Sequence, residues 1–410
     1  MENTRTEQVK ATGRRRTRKK IRKSRRFPVI GDLQMTRGKT DTLLVLFLAM
    51  LVIFGIIMVF SSSYYYSISK YGTPYHFLIR QVIWAVGGFV CFVMTSCFDY
   101  HKYYKLAPWA AILGFILLVL LFTPLGIEIN NAKRWLGAGP ITIMPGELAK
   151  IFAILFTAWF LSGDSERIRR PLTGILPVIA LGGGYAILIF KQPNLSTAIT
   201  VVLIVGFMMI VAGLQKRWIL TFLGLGAAAV FGFVTFARDT YQYERIATFL
   251  DPFANMQGEG YQIVQSLLAI GSGGLTGVGL GKSVQKSLYL PEPQNDFILA
   301  IIGEELGMIG ILGLLLLYCL FLWRGIHIAL HCRDQFGVLL ASGIVLMVLI
   351  QVVLNVAVVT NSMPATGINL PFISYGGNGM IIFMLCTGVL VNISRQNSDS
   401  GPEVEGESEE

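Results

Sequence analysis

The amino-acid sequence predicts an all-α polytopic membrane protein with about ten transmembrane helices. Of its 410 residues, 53% are hydrophobic and only 14% are charged, a composition outside the range of soluble globular domains. The apolar residues form runs long enough to cross a bilayer, and 14 of the 34 Lys and Arg residues lie within the first 40 positions, apart from those runs. A lipid-embedded body with a basic tail follows from these observations.

Runs of about 17 to 25 apolar residues are expected to be membrane-spanning helices. Ten such runs can be placed along the chain. They cover residues 41–60, 78–98, 106–123, 147–162, 172–190, 195–213, 217–236, 297–323, 335–360 and 372–393. The first run is of full length and lacks a small-residue cleavage pattern, so we expect a retained span and not a removed signal peptide.

The distribution of Lys and Arg predicts the orientation of these helices. An even number of spans places both termini on one side, and that side carries the basic tail and the basic short loops. We therefore expect cytoplasmic termini, with the long segment 237–296 on the outer face together with four shorter ones. The net charge of +10 also suits a nucleic-acid-binding protein, but a tail beside anionic membrane lipid explains it, and no nucleic acid is expected as a partner.

Composition also predicts the domain limits. Residues 1–40 are basic and polar, residues 394–410 are acidic and rich in Ser and Gly, and we expect both to be disordered cytoplasmic tails. Between them lies a transmembrane domain over residues 41–393. Four of the five cysteines fall in apolar runs and Cys332 falls in a predicted cytoplasmic loop, so no structural disulfide is expected.

The outer segment 237–296 is far longer than the usual connection, and such loops are mostly functional or disordered. Part of it has the pattern of a helix. Tyr261, Val264, Leu267 and Leu268 share one helical face, which predicts a helix lying in the membrane interface. The glycines that follow are expected to end it.

Two motifs are set aside. The run from Thr276 to Ser283 resembles a nucleotide-binding loop, but Thr276 stands where the first Gly is required and no hydrophobic strand precedes it, so no nucleotide is expected. His327 and His331 have metal-ligand spacing, but no Glu accompanies them and no third ligand is near. An interfacial helix end is the simpler interpretation.

Charges beside or inside the apolar runs need a reason, because an ionised side chain in the membrane costs roughly 2.5 to 3.5 kcal/mol even on lenient scales. Lys133 and Arg134 stand in an outer loop, and two adjacent glutamates, residues 304–305, lie inside the eighth span. Glu147 and Lys150 are three residues apart at the start of the fourth span. Their spacing is compatible with a self-neutralising ion pair and equally with a role in substrate binding.

Asp296 is the carboxylate that stands out, because it closes the long outer segment immediately before the eighth span. An Asp at that place is typical of a helix N-cap, which is the structural alternative. The functional interpretation is a general base. The pattern alone leaves both open, and N-caps are far more common than catalytic bases.

A resemblance to a known family covers the chain from about residue 41 to residue 392. The residues that carry it are Asn131, Lys133, Arg134, Trp135, Pro145, Glu147, Lys150, Gln192, Pro193, Arg245, Phe249, Leu250, Asp251, Pro252, Phe253, Gly260, Tyr261, Gln262, Ser266, Gly273, Gly274, Gly277, Gly279, Gly281, Gln285, Lys286, Leu290, Pro291, Glu292, Asp296, Phe297, Gly303, Glu304, Glu305, Leu306, Gly307, Thr366, Gly367, Leu370, Pro371, Phe372, Ser374, Tyr375, Gly376 and Gly377. The chain resembles the SEDS family (shape, elongation, division and sporulation). The context of residues 290–293 and the long charged N-terminal tail are more similar to its division and sporulation members than to its elongation members.

The chain departs from the family pattern in three places, which are the flanks of Pro145, the residues after Pro193 and those after Gly377. The second departure matters most, because Asn194 replaces the usual acidic residue and an amide cannot act as a base. Asp296 is then the outer-face carboxylate that the motif places best.

The resemblance implies a peptidoglycan glycosyltransferase that polymerises lipid II into glycan strands at the outer face of the bacterial cytoplasmic membrane, for synthesis of the division septum. Such a reaction needs a base, here Asp296, and positive charge for the departing pyrophosphate, to which a divalent cation such as Mg²⁺ or Mn²⁺ would add. For the cationic residues the alternative is solvated loop charge. The implied substrate-binding residues are Lys133, Arg134, Glu147, Lys150, Lys282, Gln285, Lys286, Ser374, Gly376 and Gly377.

The resemblance also implies partners, namely a class B penicillin-binding protein that crosslinks the strands and other divisome membrane proteins. A lipid II flippase is the rival function, since it too needs polar groups in the membrane, but the sequence has no evident inverted repeat or ion-coupling pair. A non-catalytic scaffold is the third alternative. It leaves the long, Gly-rich outer segment unexplained.

Overall fold

The computed structural model describes residues 39–129, 132–138, 141–164, 166–236, 248–254, 256, 258 and 260–398. Most of the predicted tails and part of the long outer segment lie outside these residues. The described helices are α1 Thr42–Tyr71, α2 His76–Cys97, α3 His101–Leu120, α4 Pro145–Ser162, α5 Leu176–Phe190, α6 Leu195–Val211, α7 Lys216–Phe236, α8 Tyr261–Gly273, α9 Ile298–Leu330, α10 Gln335–Val359 and α11 Gly377–Ser398. A 3₁₀ turn, Arg167–Arg169, and a π-helical turn, Pro171–Ile175, lead into α5.

Each of the ten predicted spans coincides with one of these helices, so the all-α polytopic fold class is confirmed. Among the described residues, eight helices are long and apolar enough to cross a membrane by length and composition, if α5 is counted together with its π-helical turn. The other two are α6, with 17 residues, and α7, with 21. The remaining described helix, α8, is not one of the ten spans and lies in the segment between the seventh and eighth spans.

Several span boundaries were predicted wrongly by five residues or more, among them the end of the tenth span, which reaches Ser398, and two of them have a direct physical reason. Helix α1 runs on from residue 60 to Tyr71, because Ser and Tyr do not break a helix, and it ends only where Gly72 takes a φ of 70°. Its 30 residues measure about 45 Å, longer than the roughly 30 Å hydrocarbon core. The tenth span begins at Gly377 and not at 372, since the apolar Phe372 and Ile373 are buried in an irregular loop.

Side-chain caps define several helix starts. Asp41, Asn194 and Asp334 each accept a backbone N–H from the first turn of α1, α6 and α10, at 3.0, 3.3 and 2.7 Å. Asn194, the departure from the family pattern, therefore has a structural role as an N-cap. Helix α4 begins with Pro145 at a position where the missing N–H costs nothing.

A small antiparallel sheet precedes α4 and was not predicted. Its strands are β1 Gly126–Ile129, β2 Ala132–Ala138 and β3 Ile141–Ile143, in the order β1-β2-β3. Glu128 pairs with Lys133 across the first ladder. The sheet fixes Lys133 and Arg134 on β2, close in the chain to the start of α4.

The two ends of the described chain meet at one end of the helix bundle. Arg395 Nε donates to Thr40 Oγ1 at 2.8 Å, and Arg324 of α9 pairs with Asp41 at 2.5 Å. We call this the tail end. Because α9 reaches the tail end near its last residues, its first residues and the preceding Asp296 lie at the opposite end, called the Asp296 end. The placement of α1 and α11 agrees with an even number of spans.

Helices α10 and α11 form the interior of the bundle. In each of them 72% of the residues of the most apolar stretch are buried, more than in the other candidate spans among the described residues. Helix α10 packs on α4, α6 and α9, and α11 packs on α2. A polar side chain on α10 is therefore enclosed by neighbouring helices and kept away from lipid.

Helix α8 is confirmed, and part of it is buried against the protein. Val264 is buried as expected, whereas Leu268 is exposed and Ser266 is fully buried. The helix packs against α9, and Ser266 Oγ donates to Val359 O at the end of α10 at 2.9 Å. Contact with two protein helices, and not only with lipid, sets the orientation of α8.

Candidate active site

Asp296 immediately precedes α9, at the end of the bundle opposite the tail end, and its side chain is half-buried. The N-cap position of α9 is Phe297, one residue later, and it makes no side-chain cap hydrogen bond. A Cβ at Gly367, where φ is +68°, would lie 3.1 Å from Asp296 Oδ2, so this glycine both forms the turn and leaves room for the carboxylate. The main chain of Asp296 is held separately, since its carbonyl accepts from Asn355 Nδ2 at 2.8 Å.

The loop before α11, residues 366–376, packs beside Asp296. Tyr375 N donates to Gln294 O at 2.9 Å, which joins this loop to the segment that leads into Asp296. Within the loop, Leu370 N donates to Ser374 Oγ at 2.8 Å. Ser374 therefore helps to fold the loop, and its predicted contact with substrate stays a prediction.

Gly376 and Gly377 are positions of close packing. A Cβ at Gly377 would lie 2.4 Å from the Trp84 ring, and one at Gly376 would lie 2.8 Å from Asn369 Nδ2. Neither position admits a side chain without movement of its neighbour. The two glycines shape the wall beside the candidate site, and direct binding by them stays a prediction.

The ion pair between Glu147 and Lys150 forms within the first turn of α4, with Lys150 Nζ 2.7 Å from Glu147 Oε2. Lys150 is only 1% exposed and also donates to Gln351 Oε1 on α10 at 2.9 Å. The self-neutralising arrangement is thus present. Because Lys150 is buried, a substrate can contact this ion pair only through the partly exposed Glu147 or after a movement of the protein. The role of the pair in substrate binding therefore stays a prediction.

Helix α10 links this ion pair to Asp296. Gln351 and Asn355 are four residues apart and so share one helical face. Gln351 accepts from Lys150, and Asn355 donates to the carbonyl of Asp296. One buried polar stripe therefore brings together two groups that lie about 150 residues apart in the sequence.

Arg134 and Lys133 differ in their surroundings. The Arg134 guanidinium donates to the carbonyl oxygens of Gln192, at 3.4 Å, and Pro193. These residues precede Asn194, whose Nδ2 would lie 3.8 Å from a Cβ at Gly146 in α4. Lys133 is exposed. The sheet thus carries one cation fixed on the α5–α6 loop and one facing outward.

Helix α9 is broken at Gly307, where φ is 69° and ψ is −166°. The loop after α8 replaces the lost helical hydrogen bonds, because Met308 N donates to Gly274 O at 2.9 Å and Val278 N donates to Glu304 O at 2.9 Å. A Cβ at Gly277, where φ is +78°, would lie 2.2 Å from Glu305 O. The glycine run that resembles a nucleotide-binding loop therefore supplies backbone hydrogen-bonding partners at the break in the helix.

The two adjacent glutamates of α9 are buried beside this break. Glu304 accepts from Ser283 Oγ and from Val284 N, the latter at 2.8 Å. Glu305 forms an ion pair with Lys286, whose Nζ lies 2.7 Å from Oε1. Lys286 is thus fixed inside the protein, and of the two predicted cations in this loop Lys282 is the exposed one.

Gln285 lies between these two cations in the same loop. Its backbone N–H contacts the Glu304 carboxylate at 3.3 Å, and its Oε1 is buried without a hydrogen-bond partner among the described residues. Four further oxygens share this property on the segments around Asp296, which are Gln294 Oε1, Asn295 Oδ1, Asn355 Oδ1 and Thr366 Oγ1. Buried acceptors are normally satisfied, so hydroxyl or amide donors of a ligand, or water, would complete them.

The described side chains do not supply a metal centre. Among them, no three or more His, Cys, Asp or Glu residues are grouped so as to hold an ion. A divalent cation is therefore not held by such a set of described residues. The divalent cation stays a prediction. Such an ion could arrive bound to the pyrophosphate of a substrate, because one carboxylate together with phosphate oxygens is enough to bind it.

The fold and the site define a polytopic helical membrane protein with a carboxylate-centred polar site at one end of the bundle. The model for FtsW, RodA and SpoVE proteins, described as "Cell cycle protein", matches residues 41–399. The chain belongs to this family, which confirms the resemblance.

Individual relatives match over most of the chain. The chain is 40% identical over 365 residues to Stage V sporulation protein E of Bacillus subtilis (strain 168), covering 88% of this chain and 99% of that protein. It is 35% identical over 357 residues to "Probable peptidoglycan glycosyltransferase FtsW" of Geobacter sp. (strain M18), covering 86% and 96%.

Solved structures share the fold. A chain from a structure described as "Structural coordination of polymerization and crosslinking by a peptidoglycan synthase complex" has a TM-score of 0.73 at 30% identity, covering 87% of this chain and 98% of that one. The Rod shape determining protein RodA of Thermus thermophilus has a TM-score of 0.65 at 29% identity, covering 87% and 97%.

Proposed function

We propose that the chain is a peptidoglycan glycosyltransferase that polymerises lipid II into glycan strands for the division septum. Family membership and relatives named as peptidoglycan glycosyltransferases support this class of enzyme. The observation that carries it at the level of residues is the half-buried carboxylate of Asp296, which is placed against Gly367 and is flanked by segments with unsatisfied acceptors among the described residues.

The reaction joins C1 of a donor sugar to the 4-hydroxyl of an acceptor sugar. As the hydroxyl oxygen attacks C1, Asp296 takes its proton, and the bond from C1 to the pyrophosphate oxygen breaks with its electron pair leaving on the undecaprenyl pyrophosphate. Attack opposite the leaving group inverts the anomeric carbon. Holding the reacting groups at reacting distance supplies a large part of the rate enhancement, so the position of the Asp296 carboxylate is central.

Positive charge for the departing pyrophosphate comes from exposed cations at the Asp296 end. Lys282 and Lys133 are exposed, and Arg134 is partly exposed at its guanidinium. Lys286 has a different role, because its charge is compensated by Glu305. In this proposal Lys286 and the pair of Glu147 and Lys150 fix the shape of the site.

The proposed location follows from the charge asymmetry of the sequence. The tail end, with the basic N-terminal tail, faces the cytoplasm, and the Asp296 end faces outward, where lipid II is polymerised. A class B penicillin-binding protein and other divisome membrane proteins are the proposed partners at the septum.

Lipid II polymerisation by purified protein tests the function. We expect the parent to make glycan polymer, alone or with its transpeptidase partner, and Asp296→Asn to make roughly a hundredfold less or lower, at equal folded protein and equal lipid II binding. Asp251→Asn is the matched control, because among the described residues Asp251 Oδ1 accepts backbone N–H groups of its own turn alone, which an Asn oxygen also does. Equal polymer from the parent and Asp296→Asn would refute Asp296 as the base.

One structural observation favours the alternative function, a lipid II flippase. The broken helix α9, with buried carboxylates at the break, is a feature of many transporters. Proteoliposomes with lipid II in one leaflet separate the two functions. Movement of lipid II by a parent protein that makes no polymer, even with its partner, would establish transport, and neither activity would point to a scaffold.

A further inference from the structure

Asn355 joins three segments of the chain at the candidate site. The residue lies in the last two turns of α10 and is 1% exposed. Its Nδ2 donates to Asp296 O at 2.8 Å and to Ile368 O at 2.6 Å. One side chain therefore ties α10 to the segment that carries Asp296 and to the loop that carries Gly367.

The amide group suits this contact for a chemical reason. An amide nitrogen carries two hydrogens, and both partners here are carbonyl oxygens that only accept, so the nitrogen and not Oδ1 must face them. An aspartate would place an acceptor against two acceptors, and a leucine of similar size would supply no donor. A buried polar group in a helix of this bundle is costly unless it is satisfied, which these two bonds achieve for its donors.

The same junction also restrains the carboxylate. The Cβ position of Gly367 lies 3.1 Å from Asp296 Oδ2, and Gly367 directly precedes Ile368, whose carbonyl Asn355 holds. A shift of the loop relative to Asp296 therefore changes the space around the carboxylate. Tyr375 N to Gln294 O, at 2.9 Å, is a second bond between the same two segments.

We infer that Asn355 is a positioning residue, which holds the base Asp296 and the Gly367 loop in register without touching the substrate's reacting atoms. This inference rests on the proposed function. A displacement of about 1 Å at a reacting group lowers the rate by roughly a hundredfold, so loss of Asn355 acts on the chemical step. It leaves affinity for lipid II nearly unchanged, because the loop cations remain.

The first experiment compares two buried asparagines. Asn355→Leu removes both donors without a cavity, and Asn392→Leu is the matched control, since Asn392 in α11 likewise joins backbone groups of Ser96 and Tyr100, but at the tail end. We expect kcat for lipid II polymerisation to fall by about tenfold to a hundredfold in Asn355→Leu, with KM within about twofold of the parent. Asn392→Leu should lose thermal stability and keep kcat.

The second experiment is a double-mutant comparison with Asp296→Asn. If Asn355 acts through Asp296, Asn355→Leu in the Asp296→Asn background lowers the residual rate no further, within about twofold. An additional tenfold loss, or a parent-like kcat in Asn355→Leu alone, would overturn the positioning role. Asn355→Ser, which keeps one donor, replaces Asn355→Leu if the latter does not fold, and an intermediate kcat is expected. A parent that makes no polymer overturns the proposed function itself, a different outcome from a parent-like Asn355→Leu.

Discussion

Lys286 Nζ lies 2.7 Å from Glu305 Oε1, and the two side chains are only 2% and 0% exposed. Ser61 of α1 completes the cluster, accepting from Lys286 Nζ at 3.2 Å and donating to the Glu305 carboxylate at 2.7 Å. The pair ties the loop that precedes Asp296 to both α9 and α1. A buried pair of this kind is neutral as a whole, whereas either charge alone is costly in such surroundings.

Removal of one member of this pair should destabilise the protein strongly. Lys286→Met or Glu305→Gln alone leaves one buried charge uncompensated, at a cost of about 3 to 5 kcal/mol. The double variant, Lys286→Met with Glu305→Gln, leaves no charge and should recover much of the loss. Thermal unfolding of the four proteins in one detergent measures the coupling. Additive losses would show that the two side chains do not stabilise each other.

Lys282 should behave in the opposite way. Its side chain is exposed, so Lys282→Ala should leave the unfolding temperature unchanged and raise KM for lipid II by about tenfold, equivalent to roughly 1.4 kcal/mol of binding. Lys102→Ala, which removes an exposed cation at the tail end, is the control and should leave KM unchanged. A KM equal to the parent's in Lys282→Ala would place the phosphate contact elsewhere.

Hydropathy predicted the ten spans because a length of apolar sequence is a local property. It could not predict where α9 breaks, since Gly307 in isolation only weakens a helix. The break exists because the loop around Gly277 supplies hydrogen-bonding partners from more than 20 residues earlier in the chain. The three-stranded sheet was not predicted for a related reason. Its strands are short, and their pairing with each other is not visible in any one of them.

The candidate site was predicted in part. Sequence motifs singled out Asp296, Glu147 and Lys150, and the structure joins them through α10. Asn355 was not predicted, because an Asn in an apolar run carries no local pattern and its two partners lie 59 and 13 residues away. A buried amide inside a predicted span was nevertheless a usable signal, given the cost of leaving it unsatisfied.

Chelation tests the predicted divalent cation. Mg²⁺ is often held by one or two carboxylates together with substrate phosphates, so EDTA should lower polymerisation while excess Mg²⁺ or Mn²⁺ restores it. Thermal stability without substrate should stay the same, because the described residues form no metal cluster of their own. Full polymerisation in EDTA would remove the cation from the reaction.

The proposed transpeptidase partner should co-purify in mild detergent. The basis is the likeness to a chain solved in a peptidoglycan synthase complex, at a TM-score of 0.73. A class B penicillin-binding protein from the same cell, co-expressed with this chain, should be retained on an affinity tag, and an unrelated single-span protein at equal expression should not. Equal recovery of the two would contradict a specific complex.

The orientation of the bundle is tested by labelling of introduced cysteines. Lys133→Cys and Arg170→Cys both lie at exposed positions, the first in β2 and the second beyond α4 on the predicted cytoplasmic side. In a background with the exposed Cys97 and Cys319 changed to Ser, an impermeant maleimide should label the first in intact cells and the second only after permeabilisation.

The native Cys332 should not obscure that measurement. Burial, with the Asp334 carboxylate beside it, raises the pKa of the Cys332 thiol to about 12, and the thiolate is the reactive form. At pH 7 this thiol therefore reacts slowly from either side, and a protein that keeps Cys332 without the two introduced cysteines serves as the blank. Labelling of Arg170→Cys in intact cells, above that blank, would reverse the proposed orientation and place Asp296 on the side away from the site of glycan polymerisation.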